Sequence, residues 1–462
     1  MHRYIGDRDF YRRVFAILLP ILIQNVITNF VSLLDNIMVG QVGTEPMSGV
    51  AIVNQLIFVF NLCAFGGLAG AGILTAQFCG KGDQEGIRQS IRVKLLIGLG
   101  ILLVFGSILL LAGDRFIALF LHESESGLDL AATMHHARNY LDVILLQLLP
   151  FVLTVMYSST LRETGETVLP MKAGLIAVFV NLIFNYILIF GKFGAPKLGV
   201  VGAAIATVIA RVVEMSIVIT WTHRHAERFP FIVGVYRSLK VPKPVLRKVV
   251  LLGLPLMANE LLWSGGMTIL NQCYSLRGLE VVSAMNIYST ISNLFFSAFI
   301  STGNATTIMV GQLLGAGELD RAVDEDRKLI AFTVTLSFVL GGLMALTAPF
   351  FPRIYNTIPQ VKQLATQILL ISALFMPLHA FANSCYFTLR SGGKTVITFI
   401  FDSGVLWLIS IPVAFVIGHY TRMPIVPFYT LVESLNLIKC LIGYVMIRQK
   451  KWVVNLVGEQ AV

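Results

Sequence analysis

The chain is poor in charge. Only 13% of its 462 residues are Asp, Glu, Lys or Arg, whereas 56% are hydrophobic, and the mean hydropathy is +0.78. A water-soluble domain needs a larger share of polar residues for its surface. No separate soluble domain is left over either, since the longest polar connector lies near residues 223–248. The composition therefore excludes an ordinary soluble protein and predicts a protein of the lipid bilayer.

Motifs of several other classes are missing as well. No HExxH sequence or carboxylate cluster indicates an intramembrane enzyme, and no Walker sequence indicates an ATPase. The five cysteines lie in or beside apolar segments, without CxxC or His-paired spacing, and are interpreted as packing residues. We therefore expect no enzyme and no cofactor, and any transport must draw its energy from an ion gradient.

Apolar runs recur along the whole chain, and about twelve have the ~17–25 residues of a membrane-spanning helix. The sequence thus predicts an all-α polytopic membrane protein. The predicted spans are 14–39, 47–76, 93–121, 137–160, 169–191, 200–222, 249–273, 281–311, 329–352, 363–389, 396–418 and 424–447.

Basic residues gather in alternate connectors, and the connectors between them are poor in Lys and Arg. By the positive-inside rule, both termini and the central connector are predicted to face the cytoplasm. The short connectors and the lack of a visible organelle-targeting segment favour a bacterial inner (plasma) membrane as the location. The net charge of +10 is attributed to this topology rather than to nucleic acid binding. The basic residues include Arg12, Arg13, Lys81, Arg88, Arg92, Lys94, Arg237, Lys240, Lys243, Arg247, Lys248, Arg448, Lys450 and Lys451.

The second half of the chain repeats the first. At a shift of 235 residues Pro20 meets Pro255, and further on TLRETGET resembles TLRSGGKT. The same shift aligns Gly43 with Gly278, Ser48 with Ser283, Gln77 with Gln312, Gly80 with Gly315 and Gly82 with Gly317. We predict an N-terminal lobe at 1–222, a cytoplasmic linker at 223–248 and a C-terminal lobe at 249–462. Six spans in each lobe make them parallel repeats, which favours alternating access to a central cavity.

The acid Asp35 interrupts the first apolar span. A carboxylate in hydrocarbon costs at least ~2.5–3.5 kcal/mol, so it usually faces water and binds a cation or a proton. Gln24, Thr28 and Asp35 share one helix stripe and are candidates for a cavity lining. Alternatively, Asp35 could reach interfacial water near Gly40.

Polar residues of other spans extend this pattern. Asn181 and Asn185 share a face of the fifth span, and with Thr207 of the next span their oxygens could coordinate Na⁺ or hydrogen-bond a protonated acid. Alternatively, the two amides could only join helices. In the second half Glu260, Ser264 and Asn271 repeat the stripe spacing, and Glu260 is either functional or paired with a base. Asp402, Arg211, Glu214 and Glu433 could pair structurally or line the cavity.

The residues resemble those of a known family, the multidrug and toxic compound extrusion (MATE) transporters. The resemblance covers essentially the whole chain. It depends on LLPILIQNVITNFVSLLDNIMVGQVG, AQFCGKGD, GQLLGAGE, NYILIFGKFGAPKLGVVGAAIAT and GLPLMANELLWSGG.

This resemblance implies a V-shaped bundle of twelve helices that exports amphipathic, often cationic, compounds in exchange for Na⁺ or H⁺. It assigns the family's first-helix acid to Asp35, the fifth-helix amide to Asn181 and the sixth-helix hydroxyl to Thr207. Asn185 replaces an Asp of some members, which leaves one carboxylate. Glu260 matches a second-lobe acid, but the tenth helix offers only His379 and Asn383 where those members have an Asp.

Two alternative functions make different demands on the sequence. A flippase for lipid-linked oligosaccharide or polysaccharide, from the same superfamily, would share the fold but need a larger and more basic cavity, and few arginines fall within the spans. A receptor or scaffold would not need intramembrane acids on duplicated helices. The expected partners are small amphipathic substrates and the bilayer, and the expected state is a monomer.

Overall fold

The computed structural model describes residues 4–121 and 129–458. Long helical segments, numbered α1 to α12 in chain order, make up most of these residues, and no β-strand is found among them. The all-α prediction is confirmed. The segments are α1 Arg8–Gly40, α2 Thr44–Lys81, α3 Gln84–Ala118, α4 Leu130–Glu163, α5 Val168–Phe190, α6 Val200–Arg224, α7 Lys243–Ser275, α8 Leu279–Gly315, α9 Leu319–Thr347, α10 Pro359–Ser391, α11 Thr395–Tyr420 and α12 Ile425–Arg448. The ends of the two predicted lobes, residues 1–3 and 459–462, lie outside the described residues.

Among the described residues, 11 helices are long and apolar enough to cross a membrane. The twelfth predicted span, 249–273, falls within α7, whose 33 residues are also long enough. Its mean hydropathy is lowered by Asn259, Glu260, Asn271 and Gln272. Hydropathy alone therefore does not identify α7 as a membrane span, because these polar side chains lie within it.

The helices form two compact units. The first unit contains the described residues up to 22, the segment 76–83 and the residues from 251 onward. The second unit contains 23–75 and 84–250. The boundary within α1 lies two residues after Pro20, which removes a backbone hydrogen bond from the helix interior. The lobe boundaries predicted from the sequence, 1–222 and 249–462, stay a prediction.

Each unit has its own apolar core. In the first unit α10 packs against α8, α9 and α12, and the core includes the fully buried Met376 and Phe428. In the second unit α6 packs against α5 and α4, and the core includes Phe60 and Leu141. The polar side chains described below are held by these packed helices, so their relative positions within each unit are fixed.

The ends of α2 and α8 cross in the first unit with their backbones in contact. A Cβ atom on Gly80 would lie 1.8 Å from the carbonyl oxygen of Gln312, and one on Gly315 would lie 1.9 Å from that of Gln77. Only glycine fits at such distances. These residues are also repeat partners, because the 235-residue shift carries Gln77 to Gln312 and Gly80 to Gly315.

The segment after α12 packs onto the same end of α2. Trp452 is only 1% exposed. The side-chain amide of Gln77 donates to the carbonyl oxygens of Ser391 and Val454, both at 3.2 Å, and its oxygen accepts from the Leu456 N–H at 2.7 Å. Lys81 donates to the Val457 carbonyl at 2.8 Å. Hydrogen bonds therefore tie the end of α2 to the C-terminal segment.

A buried ion pair joins α3 to α4 in the second unit. Lys94 is 0% exposed, and its Nζ lies 2.6 Å from Glu163 Oε2. The same ammonium donates to the hydroxyls of Ser159 at 2.9 Å and Thr160 at 3.0 Å. These three partners satisfy its three donors.

Replacing Lys94 by methionine should lower the free energy of unfolding by about 3–5 kcal/mol, because Glu163 loses the ammonium that lies 2.6 Å from its carboxylate in a buried site. The midpoint of thermal unfolding in detergent measures this. The double variant Lys94→Met/Glu163→Gln should recover much of the loss, whereas Arg138→Met, which breaks solvent-accessible pairs with Asp114 and Asp142, should cost less than about 1 kcal/mol. A Lys94→Met protein as stable as wild type would contradict the argument.

Candidate functional site

The second unit brings together Asp35 and the polar side chains predicted to accompany it. Asn185 Nδ2 of α5 donates to Asp35 Oδ1 at 2.7 Å and to Asn181 Oδ1 at 3.0 Å. Asn181 Nδ2 donates to Thr207 Oγ1 of α6 at 3.2 Å. The amides share a face because they are four residues apart on a helix, and the packing of α5 on α6 adds the hydroxyl. We call Asp35, Asn181, Asn185 and Thr207 the Asp35 site.

The Asn181 amide fits the Asp35 site in a second orientation too. With its nitrogen turned toward the carboxylate, it donates to both Asp35 oxygens at 3.0 Å and accepts from Thr207 at 3.2 Å. Asn185 Oδ1 is buried and has no hydrogen-bond partner among the described residues. An amide oxygen in that position is suited to a cation or to a donor that is brought in from outside.

The Asp35 site is rich in oxygen ligands and lacks a positive charge. Carboxylate, amide and hydroxyl oxygens are the ligands of hard cations such as Na⁺. Within residues 4–121 and 129–458 no Lys, Arg or His forms an ion pair with Asp35. The same residues hold no group of three or more His, Cys, Asp or Glu suited to a metal ion. The donor set therefore fits an alkali cation, or a proton on Asp35.

The other two residues of the predicted first stripe are placed elsewhere. Gln24 Oε1 accepts a hydrogen bond at 2.7 Å from Arg162 of α4, so this amide does not belong to the Asp35 site. The side chain of Thr28 is exposed. Arg162 lies in the repeated TLRETGET segment, and its guanidinium links α4 to Gln24 of α1.

The second half contains a different polar group, centred on Asp402 of α11. Asn259 Nδ2 of α7 donates to Asp402 Oδ2 at 3.0 Å, and Ser403 Oγ donates to Asn259 Oδ1 at 2.7 Å. Lys439 of α12 forms an ion pair with Asp402 Oδ1. We call Asp402, Asn259, Ser403 and Lys439 the Asp402 group.

Glu260, the predicted acid of the second half, is half-buried beside the Asp402 group. It interacts electrostatically with Arg390 and with Asp402. Ser264 is half-buried and Asn271 is exposed, and neither contacts this group among the described hydrogen bonds. The stripe of α7 thus contributes Glu260 and its neighbour Asn259 to the interior of the first unit.

The candidates on α10 have separate partners. His379 Nε2 lies 2.7 Å from Glu433 Oε2 of α12. Asn383 donates to the carbonyl oxygen of Phe299 at 2.8 Å. Arg211 and Glu214, left open by the sequence, pair with each other at 2.8 Å. These contacts place Glu433, Arg211 and Glu214 in structural pairs.

The sequence reasoning missed Asn259 and Lys439. Asn259 could have been found from the repeat, because the 235-residue shift that aligns Pro20 with Pro255 also aligns Gln24, a predicted cavity residue, with Asn259. Lys439 was visible as a base inside an apolar span. Its partner could not be identified, since Asp402 lies on another helix.

Comparison with known proteins gives two matches to one family. The sequence model of the MatE family matches residues 20–187 and again residues 255–416. The two matches begin at Pro20 and Pro255, the prolines that the repeat aligns. The family description therefore covers both halves of the chain separately.

Curated relatives are similar over nearly their full length. A probable multidrug resistance protein NorM of Thermotoga maritima is 27% identical over 420 residues, with 89% of this chain and 86% of that protein covered. A probable multidrug resistance protein YoeA of Bacillus subtilis is 25% identical, with 90% and 88% covered. A solved structure of an outward-facing multidrug resistance MATE family transporter has a TM-score of 0.86 at 19% identity and covers 97% of each chain. The last comparison shows the shared fold.

Proposed function

Because this chain belongs to the MatE family of membrane transporters, we propose that it exports amphipathic, often cationic, compounds in exchange for Na⁺ or H⁺. Family members are transporters and not enzymes. The protein is a multi-pass membrane protein. As part of the proposal, it works as a monomer in the inner (plasma) membrane with both termini in the cytoplasm, as the distribution of basic residues predicts.

The observation that supports ion exchange best is the composition of the Asp35 site. A carboxylate within a span is surrounded by neutral oxygen and amide groups, and no basic side chain of the described residues neutralises it. Such a carboxylate is stabilised by an incoming cation or proton, because its desolvation in the bilayer is costly. The unpartnered Asn185 Oδ1 adds one more ligand for that ion.

The proposed mechanism is competition through Asp35. A substrate binds from the cytoplasm or the inner leaflet while Asp35 is unloaded. An ion from outside then binds at Asp35 and changes the charge of the site. An ion can shift a conformational equilibrium only by its difference in affinity for the two states, and a charge change in a low-dielectric site supplies such a difference.

The first helix is the element expected to respond. Asp35 lies on the part of α1 that belongs to the second unit, and Pro20 lies near the point where α1 passes from one compact unit to the other. A proline inside a helix is a natural bending point. We therefore propose that ion binding at Asp35 bends or repacks α1 near Pro20 and lowers the affinity for the substrate.

The coupling ion is left to the experiment, because the single carboxylate of the Asp35 site can accept either ion. Purified protein is reconstituted into liposomes loaded with a fluorescent cationic dye, and a Na⁺ gradient or a H⁺ gradient is imposed separately. We expect dye movement under one of the two gradients. Empty liposomes and gradients collapsed by an ionophore are the controls.

If wild-type protein moves no dye under either gradient, export of amphipathic cations is wrong for this chain. The flippase for lipid-linked oligosaccharide or polysaccharide then becomes the function to test, with a fluorescent lipid-linked sugar in the same liposomes. Movement of that lipid without dye transport would place the protein with the flippases of the superfamily.

A further inference from the structure

In the second half of the chain, a lysine side chain pairs with the acid of the polar group. We propose that the ammonium of Lys439 occupies, at Asp402, the place that a soluble cation takes at Asp35, so that the Asp402 group binds no coupling ion and the protein has one ion site. The proposal rests on the proposed function only for the statement that Asp35 binds a soluble ion. Lys439 is thus a residue that sets how many ions accompany each substrate.

The two groups share an acid, an amide and a hydroxyl, whereas the Asp35 site has a second amide and the Asp402 group has a lysine. At the Asp35 site, a carboxylate accepts from the Asn185 amide, and a neighbouring amide contacts the Thr207 hydroxyl. At the Asp402 group, a carboxylate accepts from the Asn259 amide, which in turn accepts from the Ser403 hydroxyl. Each group therefore combines an acid, an amide and a hydroxyl from different positions of packed helices. Only the Asp402 group also contains a base.

Both oxygens of Asp402 are already engaged. One accepts from Asn259 at 3.0 Å and the other pairs with Lys439. The side chains of Asp402 and Lys439 are 14% and 18% exposed. The ammonium also lies 5.4 Å from the centroid of the Phe401 ring, a favourable distance for a cation–π contact. A soluble cation would have to displace a partner that is held by attraction from two sides.

The group has further charged neighbours. Glu260 is the second acid near Asp402, and Arg390 is the second base, whose guanidinium lies 5.6 Å from the Phe387 ring. Two acids thus lie among two basic side chains, and a further positive ion would have to enter a buried group that already contains both bases. The Asp35 site differs in this respect, because no basic side chain among the described residues pairs with its carboxylate.

The backbone of α11 is irregular at this group. Residues Ile400–Gly404 and Leu406–Ser410 are π-helical, whereas Ile411–Tyr420 is an α-helix. π-Helical turns are rare and occur frequently at functional positions. Asp402 and Ser403 both lie in the first of these turns, so the local backbone is adapted to placing the Asp402 group.

A tethered ammonium also has an entropic advantage over Na⁺. Lys439 is held by α12, so its pairing with Asp402 loses no translational freedom, whereas a soluble ion must be taken from solution. Replacing Lys439 by an uncharged side chain should therefore open the group to an external cation or a proton. This consequence distinguishes an internal cation from an ordinary structural ion pair, whose removal would only destabilise the protein.

The test uses full-length protein in which Asp35→Asn silences the first site. The variants Lys439→Met and Lys439→Arg are made in this background, and the midpoint of thermal unfolding is followed against Na⁺, with N-methylglucamine holding the ionic strength, and against pH. In Lys439→Met we expect a saturable rise of about 2 °C or more with Na⁺ or with proton concentration. Lys439→Arg, which keeps the charge, should show no response to Na⁺ and only the pH response of the Asp35→Asn parent.

The dependence must also disappear when Asp402→Asn is added to Lys439→Met, since that change removes the acceptor. If Lys439→Met is folded but responds to Na⁺ and to pH no more than the Asp35→Asn parent does, or if Lys439→Arg responds as strongly as Lys439→Met, the proposal is wrong. Should Lys439→Met not yield a monodisperse protein, Lys439→Gln, which keeps polarity and length, takes its place. Failure of the proposed function shows separately, as an Asp35→Asn change that has no effect on transport.

Discussion

Proteoliposomes that contain Asp35→Asn should move no more substrate under an imposed ion gradient than empty liposomes do. The amide keeps the size of the side chain and can still hydrogen-bond with Asn185, so the fold of the second unit should be retained. What it removes is the charge that changes when an ion binds. Gradient-driven flux should therefore fall by more than about tenfold, because a charge difference at low dielectric supplies several kcal/mol of coupling.

Two further variants test whether the loss of flux is specific to the charge of Asp35. Asn36→Ala changes the next residue, whose side chain is exposed, and should leave the flux unchanged. Asn185→Ala removes the hydrogen bonds to Asp35 and Asn181 and the unpartnered amide oxygen but keeps the carboxylate, so it should weaken the ion dependence without abolishing transport. Substrate binding measured by fluorescence quenching should persist in Asp35→Asn. Undiminished ion-coupled flux in Asp35→Asn would show that the coupling charge is elsewhere.

Gly80→Ala and Gly315→Ala should each destabilise the protein severely. The added Cβ would lie 1.8 Å from the Gln312 carbonyl oxygen in the first case and 1.9 Å from the Gln77 carbonyl oxygen in the second. Both obstacles are backbone atoms of a packed helix, so no side-chain rotation can relieve the overlap. We expect a loss of about 3 kcal/mol or more for each, and a fall of about 6 °C or more in the midpoint of thermal unfolding.

Glycines in open surroundings give the matched controls. Gly100 in α3 and Gly342 in α9 are helical, and a Cβ there would meet nothing within 4 Å. Alanine at either position should stabilise the helix by about 0.5–1 kcal/mol, because it reduces the freedom of the unfolded chain. The double variant Gly80→Ala/Gly315→Ala should lose less than the sum of the single losses, since one separation of the helices relieves both overlaps. Single variants as stable as the controls would contradict the contact.

The sequence predicted features that depend on local periodicity. The helix spans follow from runs of apolar residues, and the grouping of Asn181 and Asn185 follows from their spacing of four residues on one helix. Thr207 could be added because α5 and α6 are consecutive and consecutive helices usually pack together. Whether these residues carry the coupling ion stays a prediction, which the Asp35→Asn measurement decides.

Features that depend on distant packing could not be predicted in the same way. Asp402 and Lys439 lie on the consecutive helices α11 and α12, but several acids and bases were available as partners and no spacing selected this pair. Asn259 joins them from α7, which is distant in the chain. The π-helical turns of α11 have no sequence signal comparable to a proline or a glycine. The division of α1 between two compact units follows from tertiary packing, which a repeat in the sequence does not determine.

The glycine crossing of α2 and α8 also has an evolutionary consequence. In an interface between identical subunits, a residue i meets j while j meets i. Gly80 meets Gln312 and Gly315 meets Gln77, which are the same two repeat positions in reciprocal contact. The crossing thus has the form of a homodimer contact preserved inside one chain. The contact requires glycine at both repeat positions, whereas positions outside it can differ between the halves: the same 235-residue shift aligns Asp35 with Leu270, so the acids of the two halves lie at different positions.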